Sequence, residues 1–330
     1  MLNINYLKFP KKYLGFYNYF RIFAKNWEVM KHIFIVNTVA GEHSCLEEVK
    51  KAIASENEVI DYEIFTPSSA KDNIGQIRSY LEAHPNEEVR FYACGGDGTI
   101  NKVASGIYGY PNASMTVLAY GSGNDYIKYY ADLQTFRNVE KVMHGTEKHV
   151  DIMQANDRFA VNATHFGFDS FVAKTMDKIR RYPIIGGKLS YTSAIAWAFI
   201  RGMRTKCTVY ADGEKLNDGK ICLCTVANGK YVGGNYKCAP RSINDDGLME
   251  VCLIKPISRF RFPFLIKKYS EGRHLDDPKL QNIIVYRRAK QVVIEGGKGF
   301  CVSLDGEILE VEKIIVEEKK QAIRFVVPEV

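Results

Sequence analysis

Three short stretches of this 330-residue chain bring chemistry-bearing side chains to glycine turns. In "CGGDGTINKVASGI" (94–107), Gly95, Gly96 and Gly98 surround Asp97, with Thr99 behind it. Glycines there permit positive φ and leave no Cβ to obstruct a ligand. Ile100, Val103, Ala104 and Ile107 follow at helical spacing, so the turn opens a helix, and Thr99 is a natural N-cap. Free N–H groups and the positive end of the helix dipole suit a phosphate, although such a turn also serves as a plain strand-to-helix connection. In "AYGSGNDYIKYY" (119–130), Gly121 and Gly123 flank Ser122, and Asn124 and Asp125 follow. A hydroxyl, an amide and a carboxylate at that place can hold phosphate, ribose or hydrated Mg²⁺, and Asn-Asp can equally cap a helix. In "SLDGEIL" (303–309), Asp305 and Glu307 read, on their own, as an ordinary hairpin turn. The Walker A pattern, the third glycine of a dinucleotide fingerprint and the protein-kinase signature set are all absent.

The elements that must position these residues follow from hydrophobic patterning. "HIFIVNTVAG", "VIDYEIFTP", "EVRFYAC" and "SMTVLAYGSGND" read as strands, separated by helices at "CLEEVKKAIASEN", "AKDNIGQIRSYLEAH" and "TINKVASGI". That alternation predicts a parallel α/β sheet covered on both faces. Ligands of such sheets lie beyond the carboxyl ends of the strands, where Asn37, Thr66, Asp97 and Asp125 fall. After about residue 150, short strands outnumber helices, which predicts a β-rich, mainly antiparallel second domain. The expected division is an N-terminal extension at 1–30, an α/β domain at 31–150 and a β-rich domain at 151–313. The last strand, "QAIRFVVPEV", can pair with either domain, so 314–330 is a candidate to complete the first.

Composition is that of a globular protein, 46% hydrophobic and 25% charged, with a net charge of +7 and no arginine-rich tract or nucleic-acid motif. Residues 1–29 are basic and aromatic, fitting either an interfacial segment on an anionic membrane or an appendage upstream of Met30. No apolar run approaches the roughly 20 residues that span a bilayer, so the cytosol is the default compartment. The eight cysteines show no zinc spacing, and strand alternation places Cys222 and Cys224 on one face as a buried thiol pair.

Taken in order, these stretches resemble the diacylglycerol-kinase catalytic family of lipid kinases, in its soluble bacterial form, over roughly residues 32–310. "VNTVAG" (36–41) is similar to its Asn-Pro-x-x-Gly turn, "GGDGTINKV" (95–103) to its signature, and "GSGNDY" (121–126) to its Gly-Thr-x-Asn-Asp-Phe element. "NATHFGFDS" (162–170), "VANGKYVGGNYKCAP" (226–240), "NDDGLMEV" (244–251) and "SLDGEIL" (303–309) fit its second domain. The resemblance implies a nucleotide-binding α/β domain and a β-rich lipid domain, with ATP and a lipid headgroup meeting between them. It assigns ATP contacts to Asn37, Thr38, Val39, Ala40, Gly41, Thr66, Gly95, Gly96, Asp97, Gly98, Thr99, Ile100, Asn101, Lys102, Ser122, Asn124 and Asp125. It implies a Mg²⁺ loop in which Asp246 and the carbonyls of Ile243 and Leu248 are ligands, with Asp97, Asp125 and Asp246 in one carboxylate–water–metal network. It makes Asp305 or Glu307 the catalytic base that takes the proton from an attacking hydroxyl. Three positions depart from the pattern: Thr38 for Pro, Ser122 for Thr, and Lys102 where Glu is common.

The expected function is transfer of the γ-phosphate of ATP to a membrane-lipid hydroxyl, diacylglycerol before sphingoid bases or monoacylglycerols. NAD kinase, which shares the 95–99 motif, and a non-catalytic nucleotide- or lipid-binding regulator are the alternatives. The partners are a lipid at a membrane surface and no nucleic acid, with peripheral membrane contact; a homodimer is compatible. "RFRFPFLIKKYSEGR" (259–273) reads equally as a membrane-contacting lip or an amphipathic helix packed on the β domain, whereas "TSAIAWAFI" (192–200) reads as core.

Overall fold

The computed structural model describes residues 30–36, 44–55, 60–66, 72–168, 170, 203–234 and 236–329. The expectations for residues 1–29, for the turn Asn37–Gly41 and for 192–200 lie outside the described residues.

The first half alternates as its patterning predicts. β1 (Lys31–Val36), α1 (Ser44–Ser55), β2 (Tyr62–Phe65), α2 (Asp72–Ala83), β3 (Val89–Gly95), α3 (Asp97–Ile107) and β4 (Ala113–Ala119) follow in order. β1 pairs in parallel with β2 and β3, and β3 with β4, so their carboxyl ends share one edge. Ile33, Phe34, Ile35, Phe91, Tyr92, Ala93, Val117 and Leu118 are wholly buried, as in a sheet covered on both faces. α3 buries Ile100, Val103, Ala104 and Ile107. A Cβ on Gly106 would stand 2.8 Å from Ile77 Cγ2, so this glycine sets the close approach of α3 to α2.

The chain then turns through the short helix α4 (Val139–Met143) into β5 (Thr146–Ala155), β6 (Arg158–Ala160) and β7 (Ala163–Gly167). β8 (Thr205–Lys206), β9 (Thr208–Ala211), β10 (Glu214–Lys215), β11 (Lys220–Ile221), β12 (Leu223–Ala227) and β13 (Met249–Ile254) come next. Helix α5 (Phe262–Ser270) precedes β14 (Ile284–Ala289), β15 (Gln291–Glu295), β16 (Cys301–Leu304), β17 (Glu307–Glu310) and β18 (Lys313–Val327). Six of these strands form an antiparallel sheet in the order β14-β13-β12-β7-β16-β17, as expected of a β-rich second half.

β18 has two sets of neighbours. Its first residues pair antiparallel with β15, while Arg324 and Phe325 pair in parallel with Ser114 and Met115 of β4. β5 runs antiparallel to most of its length. The final strand therefore joins a parallel half (β2-β1-β3-β4) to an antiparallel half (β15-β9-β10) in one ten-stranded sheet. The join is not straight: the β18–β5 register shifts between Lys319 and Ile323, and Gln321 sits at φ 51°. Asp151 on β5 secures that bulge by accepting from Gln321 N at 2.6 Å.

The thiol expectation is corrected in one respect. Cys222 falls in the break between β11 and β12, so alternation does not run through it. Cys224 packs with Val226 and Val251 while Cys222 packs with Leu223 and Cys252. Both are buried and outside any disulfide, but on opposite faces.

Candidate active site

The two glycine turns meet backbone to backbone at the carboxyl edge of β3 and β4. Tyr120 N and Gly121 N both donate to the carbonyl of Gly95, at 3.2 and 3.1 Å. A Cβ on Gly121 would stand 2.2 Å from Gly96 Cα, and one on Gly96 would stand 3.1 Å from Gly121 Cα. Only glycine at 121 allows this approach. Gly96 is the N-cap of α3 and no side chain caps that helix, so its positive end opens at the turn. A Cβ on Gly98 would meet nothing within 4 Å, leaving open space over the first helical turn.

α3 also projects two side chains beyond its own turn, Asp97 to the second glycine turn and Asn101 to the β-rich half. Asp97 and Asn101 are four residues apart and share a face. Asp97 Oδ1 accepts from Asp125 N at 2.7 Å and Tyr126 N at 3.3 Å. Its Oδ2 lies against Gly123, where a Cβ would come within 2.7 Å. Burial, and next the Asp125 carboxylate, push the Asp97 carboxyl up to about 6. Asp125 is itself 7% exposed and held by two donors: Lys128 Nζ at 2.7 Å, and Gly234 N at 3.0 and 3.1 Å to its two oxygens. Lys128 also donates to the Gly234 carbonyl, so the loop after β12 is clamped onto the second glycine turn. Asn124, at φ 50° and fully buried, donates to Gly121 O, while its Oδ1 has no hydrogen-bond partner.

Asn101 Nδ2 reaches Asp305 Oδ2 at 2.9 Å and the Phe159 carbonyl at 2.7 Å. Asp305 occupies the β16–β17 turn at φ 45° with Gly306 at φ 93°, so the hairpin expected from its sequence is present. Its carboxylate does more than turn the chain. Val161 N donates to Oδ2 at 2.7 Å, and Asn162 N and Ala163 N donate to Oδ1 at 3.1 and 2.8 Å. With Asn101, that is two donors on each oxygen. Burial raises the Asp305 carboxyl above its ordinary value, and these donors oppose the rise. Glu307, two residues on, is exposed and pairs with Arg158 at 3.0 Å.

The remaining expected contacts divide. Thr99 is buried beneath the turn, its N–H donating to Gly96 O at 2.8 Å. Ile100 is core, so only its backbone faces the turn. Lys102 is half-buried, Ser122 is exposed, and Thr66 is exposed just beyond β2.

The loop expected to hold Mg²⁺ lies in a different cluster. Asp246 Oδ1 accepts from Leu248 N at 3.0 Å, and Oδ2 takes the guanidinium of Arg288, which also bonds Glu250 at 2.9 Å. Ile243 is exposed. Asp151 accepts from Gly247 N at 2.6 Å, tying this loop to the β18 bulge. Mg²⁺ requires near-octahedral oxygen ligation, and a guanidinium on the one carboxylate expected as its ligand repels a second cation. As arranged, the loop does not fit a divalent ion. Of the expected Asp97–Asp125–Asp246 network, Asp97 and Asp125 are neighbours, while Asp246 shares Arg288 with Glu250. Among the described residues, no group of three or more His, Cys, Asp or Glu side chains could hold a metal ion.

Sequence reading missed Lys128, Gly234 and Arg288, because each meets its partner only through tertiary folding. It also missed Glu318, whose carboxyl burial pushes up to about 8 while Asn228 Nδ2 bonds Oε1 at 2.9 Å.

Comparison with known proteins agrees with this architecture. Residues 31–155 match the diacylglycerol kinase catalytic domain, and residues 162–327 match the YegS C-terminal NAD kinase beta sandwich-like domain. A protein of Shewanella frigidimarina described as "Probable lipid kinase YegS-like" is 25% identical over 263 residues, covering 78% of this chain and 82% of that one. The diacylglycerol kinase of Bacillus subtilis is 27% identical over 225 residues, covering 65% and 70%. A crystal structure of a diacylglycerol kinase from Bacillus anthracis superposes with a TM-score of 0.64 at 19% identity, covering 90% of this chain and 96% of that one, and shows the fold. With both halves matched in order, the chain belongs to the diacylglycerol kinase catalytic-domain family of lipid kinases.

Proposed function

We propose that the chain transfers the γ-phosphate of ATP to the free hydroxyl of diacylglycerol, giving phosphatidic acid. The observation that carries this reading is the pair of glycine turns packed so closely that a Cβ on Gly121 would stand 2.2 Å from Gly96 Cα, which leaves the start of α3 open without a side-chain cap. Donors of that kind suit the phosphates of ATP, which arrives with Mg²⁺ as its counter-ion. The lipid hydroxyl oxygen attacks the γ-phosphorus, the bond to the β,γ-bridging oxygen breaks, and ADP leaves. Asp97 accepts the hydroxyl proton, since its carboxyl near 6 is ionised yet still basic at neutral pH.

Asp305 and Glu307 then take other parts in the reaction. Asp305, with two donors on each oxygen, holds α3 against the second sheet as a positioning residue. Glu307, paired with Arg158 at the rim, contributes to headgroup binding.

The test is phosphorylation from labelled ATP and Mg²⁺ across mixed micelles of diacylglycerol, monoacylglycerol and sphingoid base, with NAD alongside. Label in phosphatidic acid is the expected result. Label only in another lipid would replace the substrate, and label in NAD or nowhere would overturn the proposal.

A further inference from the structure

We propose that the N-terminal end of α5 and the loop before it form the surface by which this protein docks on an anionic lipid bilayer. The inference rests on the lipid-kinase reading above and names the partner surface that such a substrate requires. From Lys255 to Lys268 the chain has five basic side chains, Lys255, Arg259, Arg261, Lys267 and Lys268, and no acidic one. Phe260, between two of the arginines, is 97% exposed, and Phe264, one turn into the helix, is 39% exposed. Lys255, Arg259, Arg261 and Lys267 are exposed around them.

The helix beneath is firmly seated, so these rings are not strays from a loose segment. Phe262, Leu265 and Tyr269 are buried on the opposite face, Phe262 packing on Phe168 at 4.6 Å between centroids. Tyr269 OH bonds Thr225 Oγ1 at 2.7 Å, fixing α5 to β12. Arg261 donates to the Lys279 carbonyl at 2.9 Å, and Lys268 meets Asp277 at 3.4 Å while standing over the Phe264 ring. The amphipathic helix expected within 259–273 is present, with one face in the core, and its other face presents aromatic rings in a basic collar. Rings that enter the interface and cations that feel lipid charge are the two features of an interfacial helix.

The placement suits the chemistry. Ser270, at the far end of α5, accepts from Lys237 N at 3.3 Å. The same loop supplies Gly234 to Asp125, beside Asp97. A bilayer held at Phe260 is therefore one helix and one loop from the carboxylates of the site.

The test measures partition of the full chain onto phosphatidylcholine vesicles, with and without phosphatidylglycerol, in the absence of ATP. The wild-type chain is expected to bind the anionic vesicles and to lose binding as salt rises. Phe260→Ala is expected to weaken that binding about tenfold or more, from the transfer of one exposed phenyl ring. Removing Arg259 or Lys267 as Gln is expected to cost about fivefold each on anionic vesicles only. Thermal melting checks that Phe260→Ala, at a wholly exposed position, leaves the fold intact. Binding that ignores Phe260→Ala and Phe264→Ala together, whether through residues 1–29 or elsewhere, overturns the proposal. So does no anionic-vesicle binding at all, or a Phe260-dependent self-association in place of vesicle binding. Because no turnover is read, a chain that docks through Phe260 but leaves diacylglycerol unlabelled supports this surface and refutes only the substrate.

Discussion

Replacing Asp97 by Asn should abolish turnover and yet make the protein more stable at neutral pH. The folded carboxyl is shifted from 3.8 to about 6, mainly by burial and then by Asp125. A raised carboxyl means the folded state holds its proton more tightly than the unfolded chain. Stability at this residue is therefore greatest at low pH and declines as pH rises from near 4 to near 6. A shift of about two units is worth about 3 kcal/mol as an upper bound, spent at pH 7 on keeping Asp97 ionised. Asn keeps an oxygen for Asp125 N and Tyr126 N and needs no charge in that place. Thermal melts of both proteins should separate by several degrees at pH 7.5, by about half that at pH 5, and hardly at pH 4. Turnover of the wild-type protein should rise through a pH near 6 and then level, as an ionised base requires. An Asp97→Asn variant less stable than wild type at pH 7.5, or a stability difference independent of pH, would refute the desolvation argument. Wild-type turnover in that variant would remove Asp97 as proton acceptor.

Asp305→Asn sets an amide N–H₂ against the donors of Val161 and Asn101, and should lower stability by about 2–4 kcal/mol in urea unfolding. Unchanged stability with lost turnover would instead make Asp305 the base. Gly121→Ala drives a Cβ into the Gly96 backbone and should cost about 1–3 kcal/mol with loss of nucleotide binding by calorimetry. Gly98→Ala, by contrast, meets open space at a helical position, so melting should be unchanged or raised by about 0.5–1 kcal/mol while ATP affinity falls; retained affinity would clear that space of any phosphate. Arg288→Gln should make melting respond to Mg²⁺ without nucleotide, because Asp246 loses its cation; a wild-type protein already stabilised by Mg²⁺ alone would show that the ion displaces Arg288.

The parallel half of the sheet was readable because burial on both faces forces continuous apolar runs, as in "HIFIV" and "RFYAC". β18 was harder. "KIIVEEKKQAIRFVV" carries a polar middle, and it pairs with β15 at one end and β4 at the other around a bulge at Gln321. Strand pairing is tertiary, so a single strand cannot announce two partners. The Cys222 error has a similar origin: alternation assumes an unbroken strand, and the break between β11 and β12 reverses the face.

The site shows the same limit more sharply. Asp-Gly occurs five times in the chain, at 97, 212, 218, 246 and 305. Asp212 and Asp305 both sit at φ 45° in hairpin turns, so local sequence did its local work. What distinguishes four of them, at 97, 212, 246 and 305, is who donates to the carboxylate. Asp212 takes the backbone of Lys290 and Gln291, and Asp246 takes Arg288. Asp305 has two donors on each oxygen, one of them from a helix 204 residues away in sequence. Asp97 has backbone donors on only one oxygen and a second carboxylate nearby. Burial raises both carboxyls, but the donors around Asp305 oppose that rise, whereas the neighbouring Asp125 carboxylate adds to it at Asp97. That difference, invisible in the dipeptide, is the reason for proposing proton transfer at 97 and attachment at 305.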